Sequence, residues 1–140
     1  MLDASAIIAY LRDEPGADAV EDLLSNDDEL CIAHAINLCE TFYKMKRHTD
    51  EGEVLSTLQD FSDRIVVRTD LDQTFWLQVG RYKAPMRSTP LADCFVVALA
   101  NRDDAEAVTA DYGDFEPIEA QGLCRVRFIR PKRQTPGQAS

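Results

Sequence analysis

Residues 91–100, Leu-Ala-Asp-Cys-Phe-Val-Val-Ala-Leu-Ala, form an apolar run whose one charge is Asp93. Pro90 before it suits the first turn of a helix, and the pattern stays helical through Asn101. A helix apolar on all sides is a helix buried on all sides. It needs other layers around it, and the flanking sequence supplies them. Short β-rich runs predict strands at Leu30–Ala33, Arg64–Arg68 (RIVVR), Ala107–Ala110 and Arg125–Arg130 (RVRFIR), with the end of a further strand at Met1–Asp3. Amphipathic spacing predicts helices over Ser5–Arg12, Ala17–Ser25, Ile36–Arg47 and Glu53–Asp63, and from a cap at Asp70 or Asp72 to Ala84. In the third of these, Ile36, Cys39 and Tyr43 share one stripe, with Leu38, Phe42 and Met45 beside it. Pro15-Gly16 and Pro85–Thr89 are breaks. Strands alternating with helices imply a mainly parallel sheet of four or five strands, covered on both faces as an α/β/α sandwich. Sites in such sheets form beyond the carboxyl ends of the strands.

The length of 140 residues fits one domain, expected over 1–130, with a polar Pro-, Gly- and Gln-containing tail at 131–140 expected to be disordered. Hydrophobic residues at 45% and charged residues at 29% are ordinary for a globular chain and argue against wholesale disorder. The longest apolar run, Cys94–Ala100, is too short to cross a membrane. The amino terminus lacks the basic start and apolar core of a signal peptide, so a cytoplasmic location is expected. Cys31, Cys39, Cys94 and Cys124 form no close pair and sit among apolar neighbours, which predicts free buried thiols rather than a zinc site. His34 and His48 have no partner pattern and are assigned to structure or surface. A net charge of -10 weighs against nucleic-acid binding unless several acids share cations; two divalent ions would bring it to -6.

Four acids stand where charge is costly. Asp93 has no Lys or Arg one turn away, and an unpaired buried carboxylate must be protonated or bound to a cation. Glu40 is the lone acid in Ala35–Tyr43, Asp3 is the lone charge in Met1–Tyr10, and Asp111 closes the strand at Ala107–Ala110. Taken singly, each has an ordinary explanation. Asp93 complements a helix dipole, Glu40 pairs with Lys44 four residues on, Asp3 caps a helix, and Asp111 starts a turn in which Asp114 could substitute for it. Taken together, all four lie at strand ends or early in the helices that follow, and a parallel sheet gathers such points along one edge. Carboxylates gathered there suit a hard cation with oxygen ligands, above all Mg²⁺ or Mn²⁺.

LDASAIIAYL, NLCETFYKM, PLADCFVVALA and VTADYGDFE, in that order, resemble the four motifs of PIN-domain ribonucleases, and specifically the VapC toxins of type II toxin–antitoxin pairs. The resemblance runs from residue 2 to about 118. It implies a PIN-like three-layer fold and a metal-dependent endoribonuclease, with Asp3, Glu40, Asp93 and Asp111 as motif acids and metal ligands. Ser5 and Thr109 would support the ligands from behind, and Asp114 is a possible extra acid. The implied partners are an RNA substrate (tRNA, rRNA or mRNA), a cognate antitoxin and a second copy of the chain. Lys44, Lys46 and Arg47, on the same helix as Glu40, could meet phosphates. Because the sequence starts almost on Asp3, the first strand is expected to be unusually short or to begin upstream. A phospho-acceptor signalling domain would need a second acid beside Asp3 and a late lysine, and no lysine lies between Lys83 and Lys132. A haloacid-dehalogenase-like phosphatase would need a second aspartate two residues after Asp3, where Ser5 stands. A non-catalytic PIN-like interaction module typically loses motif acids, whereas all four are present here.

Overall fold

The computed structural model describes residues 1–134. Its elements run α1 (Ala4–Leu11), α2 (Ala17–Ser25), β1 (Ile32–His34), α3 (Ala35–Lys46), α4 (Glu51–Ser62), β2 (Val66–Arg68), α5 (Gln73–Lys83), α6 (Leu91–Arg102), β3 (Ala107–Thr109), α7 (Tyr112–Ala120) and β4 (Val126–Phe128). Pairing is parallel throughout: β1 with β2, and β3 with β4. Residues 1–3 join the two pairs. Leu2 bridges Val108 in parallel, its N–H donates to Ile32 O at 2.8 Å, and Val108 N–H donates to Met1 O at 2.7 Å. The spatial order is therefore β2, β1, the amino-terminal segment, β3, β4. This is the expected parallel α/β/α sandwich, with a first strand reduced to a single bridge.

Two apolar clusters provide the layers. One gathers Phe75 and Val79 of α5, residues 94–100 of α6, and Phe115 and Ile118 of α7. The other gathers Ala6, Ile7 and Ala9 of α1, Val20 of α2, and Phe61 of α4. Helix α6 is buried continuously from Asp93 to Ala100, as its uniform apolarity requires. Gly16 starts α2 at φ +100°, and a Cβ there would stand 2.7 Å from Ile129 Cγ1, so both backbone and space require glycine.

The structure corrects several expectations. Helix α7 is absent from the sequence reading because Gly113 and Pro117 look like breakers; Asp111 nevertheless caps it by accepting from Asp114 N–H, and Phe115 and Ile118 anchor it in the core. The inward stripe of α3 is Asn37, Thr41 and Met45 rather than Ile36, Cys39 and Tyr43. Burial of these small polar side chains is eased by hydrogen bonds: Thr41 Oγ1 donates to Asn37 O at 2.8 Å, and Asn37 Nδ2 donates across to Ala92 O of α6 at 3.4 Å. Cys39 is consequently exposed, while Cys31 and Cys94 are buried and Cys124 is half-buried. Asp72, not Asp70, caps α5, and Asp70 instead binds Arg68 and Arg102. Pro90 stands at the N-cap of α6, one position before its first turn. His34 is structural: its Nδ1 accepts from Ile36 N–H to cap α3, and its Nε2 lies 2.9 Å from Asp70 O. Residues 131–134 have no regular secondary structure, and the rest of the tail lies outside the described residues.

Candidate metal centre

Asp3 leaves the amino-terminal segment directly into α1 and is 2% exposed. Its carboxylate accepts from Ala6 N–H at 2.8 Å, from Ser5 Oγ at 2.8 and 3.0 Å, and from Thr109 Oγ1 at 2.5 Å. The two hydroxyls are 3.1 Å apart, and each also accepts a backbone N–H from the end of β3: Ala110 N to Ser5, Asp111 N to Thr109. Ser5 and Thr109 thus lock Asp3 to the strand that delivers Asp111. Burial pushes the Asp3 carboxyl up to about 6; these donors pull against that, and the Asp111 charge adds to it.

Asp93 lies in the first turn of α6, buried. Desolvation raises its pKa, followed by a hydrogen bond with Asp114 and the charges of Asp3, Asp114 and Glu40. Every one of these influences pushes upward. Asp114 is raised too, chiefly by desolvation, with the charges of Asp111 and Glu40 contributing, while its bond with Asp93 pulls the other way. Burial and the neighbouring carboxylates therefore favour the neutral form of Asp93, with Asp114 accepting its hydrogen bond. Glu40, on α3, reaches this group with a mostly covered side chain and pairs with Lys44 at 3.2 Å.

Asp3, Glu40, Asp93, Asp111 and Asp114 are thus near enough for their charges to act on one another. Each acid also does the ordinary job its local sequence offers: Asp3 and Asp111 cap helices, Glu40 pairs with Lys44, and Asp93 sits in a helix's first turn. The local jobs orient the carboxyls, and the sheet edge brings them together. Among the described residues, no three His, Cys, Asp or Glu side chains already stand around a common point as ligands would. The donor set is nevertheless what a hard divalent cation takes: oxygen only, excess negative charge, and a carboxyl, Asp93, driven toward its neutral form. Asn37, one turn before Glu40, adds a fully buried Oδ1 with no hydrogen-bond partner among the described residues.

Ser5 and Asp111 also line a cavity of about 420 Å³ walled by Arg130, Lys132 and Arg133. Lys132 and Arg133 were assigned to a tail at 131–140 and Arg130 to the end of a strand, so none was connected with the site. The signal was available in Arg130-Pro-Lys-Arg133 directly after the last strand, since a strand parallel to β3 must end at the same edge as Asp111.

The fold is a three-layer α/β/α domain with several acids near the carboxyl ends of its parallel strands. The PIN domain family model matches residues 1–119, and the chain belongs to that family. No curated protein sequence matches it. Among solved structures, it is similar to VapBC2 from Rickettsia felis bound to a DNA fragment from the promoter, with a TM-score of 0.71 and 18% identity, covering 91% of this chain and 96% of that one. It is similar to VapBC-1 from nontypeable Haemophilus influenzae at TM-score 0.70 and 18% identity, covering 92% and 96%. DNA-bound VapBC from Salmonella typhimurium gives 0.71 and 21%, again covering 92% and 96%. At these identities the likeness is one of fold.

Proposed function

We propose that this chain is a Mg²⁺- or Mn²⁺-dependent endoribonuclease that hydrolyses RNA phosphodiester bonds. We further propose that it serves in the cytoplasm as the toxin of a toxin–antitoxin pair, blocking translation by cutting tRNA, rRNA or mRNA. The observation that carries the nuclease proposal is the mutual electrostatic influence of Asp3, Glu40, Asp93, Asp111 and Asp114, acids borne on elements that follow the parallel strands. The antitoxin part is supported by the fold shared with VapBC structures; the homodimer expected from the family resemblance is proposed with it. Among the described residues, no helix is long and apolar enough to cross a membrane.

Asp3, Asp93 and Asp111 would hold the ion, with Glu40 and Asp114 as ligands or as acceptors for its bound water. When bound, the ion supplies a water activated for in-line attack and charge to stabilise the leaving oxygen. The chain's own residues do the rest. Ser5 and Thr109 fix the Asp3 carboxylate by hydrogen bonds to both oxygens, so that it cannot rotate away. With an ion bound, the carboxyls of Asp93 and Asp114 would both be held in the charged form. Lys44, beside Glu40, stands where it can meet a phosphate oxygen. Arg130, Lys132 and Arg133 would offer the RNA backbone a basic wall next to Asp111, with Arg130 and Lys132 exchanging their pairing to Glu14 and Glu116 for phosphate.

The test is incubation with total cellular RNA, with Mg²⁺ or with EDTA, followed by mapping of fragment ends. Discrete cleavage is expected only with Mg²⁺, and Asp93→Asn should abolish it while circular dichroism stays unchanged. Undiminished cutting by Asp93→Asn would rule the assignment out.

A further inference from the structure

A groove of about 260 Å³ runs between α3 and the start of α6, lined by Ile36, Cys39, Glu40, Tyr43, Leu91 and Ala92. It is mostly apolar, yet it opens to solvent: Tyr43 is 40% and Leu91 is 52% exposed. Large apolar side chains left uncovered beside a polar site call for an occupant. The groove is continuous with the acid cluster, since Glu40 belongs to both and Ala92 directly precedes Asp93. Its far rim carries two basic residues, one of which, Lys44, is paired with Glu40 at 3.2 Å. The Arg47 guanidinium lies over the Tyr43 ring, 5.0 Å from its centroid, and Lys44 follows Tyr43 in sequence. A further basic residue, Lys46, ends the helix and lies 3.6 Å from Glu51.

Resting on the nuclease assignment above, we infer that this groove receives an unpaired nucleobase adjacent to the scissile phosphate, sandwiched between Tyr43 and Leu91. A base presents flat apolar faces, which suit Tyr43 and Leu91, on a backbone whose charge suits Lys44 and Arg47. Stacking on an aromatic ring is tolerant of base identity, and an arginine already seated on the ring extends the platform. Geometry also sets the order of parts. The phosphate lies at the carboxyls, one nucleoside away the base fills the groove, and the continuing backbone meets the cations. An apolar side chain from a protein partner would satisfy Tyr43 and Leu91 but would leave the cationic rim unused.

Two arms test this. In the first, a single-stranded RNA oligonucleotide carrying 2-aminopurine is titrated onto the metal-free protein. Stacking should quench its fluorescence with wild type and with Tyr43→Phe, and Tyr43→Ala should weaken binding about fivefold to about a hundredfold. Equal binding and quenching by wild type and Tyr43→Ala would overturn the proposal, and would be the result if the groove served a protein partner instead. In the second arm, an RNA containing the mapped cleavage site is made with an abasic ribose next to the scissile bond. Base removal and Tyr43→Ala should each raise KM by the same factor with kcat little changed, and together cost no more than either alone. Additive losses would overturn it. If wild type cuts no RNA at all, the nuclease assignment fails, and the fluorescence arm still decides whether a base binds here.

Discussion

Consider the protein in EDTA as pH rises from about 4.5 to about 7.5, a window chosen around a carboxyl that the fold holds fully buried. In the unfolded chain Asp3 ionises at its ordinary value of 3.8; in the folded chain it keeps its proton up to about 6. The folded state therefore binds more protons, so the stability Asp3 contributes is fully present below about pH 4 and is lost as pH climbs through about 6. At about 1.4 kcal/mol per unit, and allowing for the fraction already lost at the acid end, the window costs about 2 kcal/mol, or about 6 °C in melting temperature for a chain of this size. Asp93 and Asp114, also raised, act with the same sign. Arg68 and Arg64 hold Asp70 and Glu21 down at about 2, so the stability those acids contribute is lost only below the window, as pH falls toward 2. The assay is thermal melting of wild type and Asp3→Asn at a series of pH values. Asparagine keeps a cap for α1 but does not titrate, so the difference between the two proteins isolates Asp3. Wild type should lose about 2 kcal/mol relative to the variant across the window, and saturating Mg²⁺ should abolish most of that loss. Parallel melting curves, or wild type gaining on the variant as pH rises, would refute the claim that Asp3 is a buried, raised carboxyl.

Three further outcomes follow from the same geometry. Thr109→Val keeps the shape but removes the 2.5 Å donor to Asp3 and the acceptor of Asp111 N–H, so urea denaturation should show a loss of about 1–3 kcal/mol. Phe115→Ala should cost about 3–5 kcal/mol, because Phe115 is fully buried and anchors α7; Mn²⁺ affinity, measured below the unfolding transition, should fall as α7 carries Asp114 away from Asp93. Gly16→Ala must force a side chain at φ +100° against Ile129, and chemical denaturation should register a loss of at least about 1 kcal/mol.

Much of this architecture was legible before the structure, and the reasons are local. The limits of α2 follow directly from Pro15-Gly16 and the spacing of Val20, Leu23 and Leu24. Helix α6 was legible because Asp93 is a lone charge in a run with no polar face. What escaped depended on tertiary context. Pro117 and Gly113 disfavour a helix by propensity, and only burial of Phe115 and Ile118 makes α7 worthwhile. Cys39 was assigned inward because apolar residues usually face the core; Asn37 and Thr41 take that place through hydrogen bonds that no periodicity reveals. At the site, the motif acids and the hydroxyls of Ser5 and Thr109 could be named from sequence. The hydrogen bond between Asp93 and Asp114, and the basic residues that follow the last strand beside Asp111, required the chain's path in space.

The account depends on scattered acids acting as one cation site, and calorimetric titration with Mn²⁺ addresses that directly. Wild type should give saturable heat with protons released as Asp93 and Asp114 ionise, and Asp93→Asn should lose both the heat and the proton release while keeping its fold. Heat that is identical in the two proteins, or absent from wild type, would contradict it.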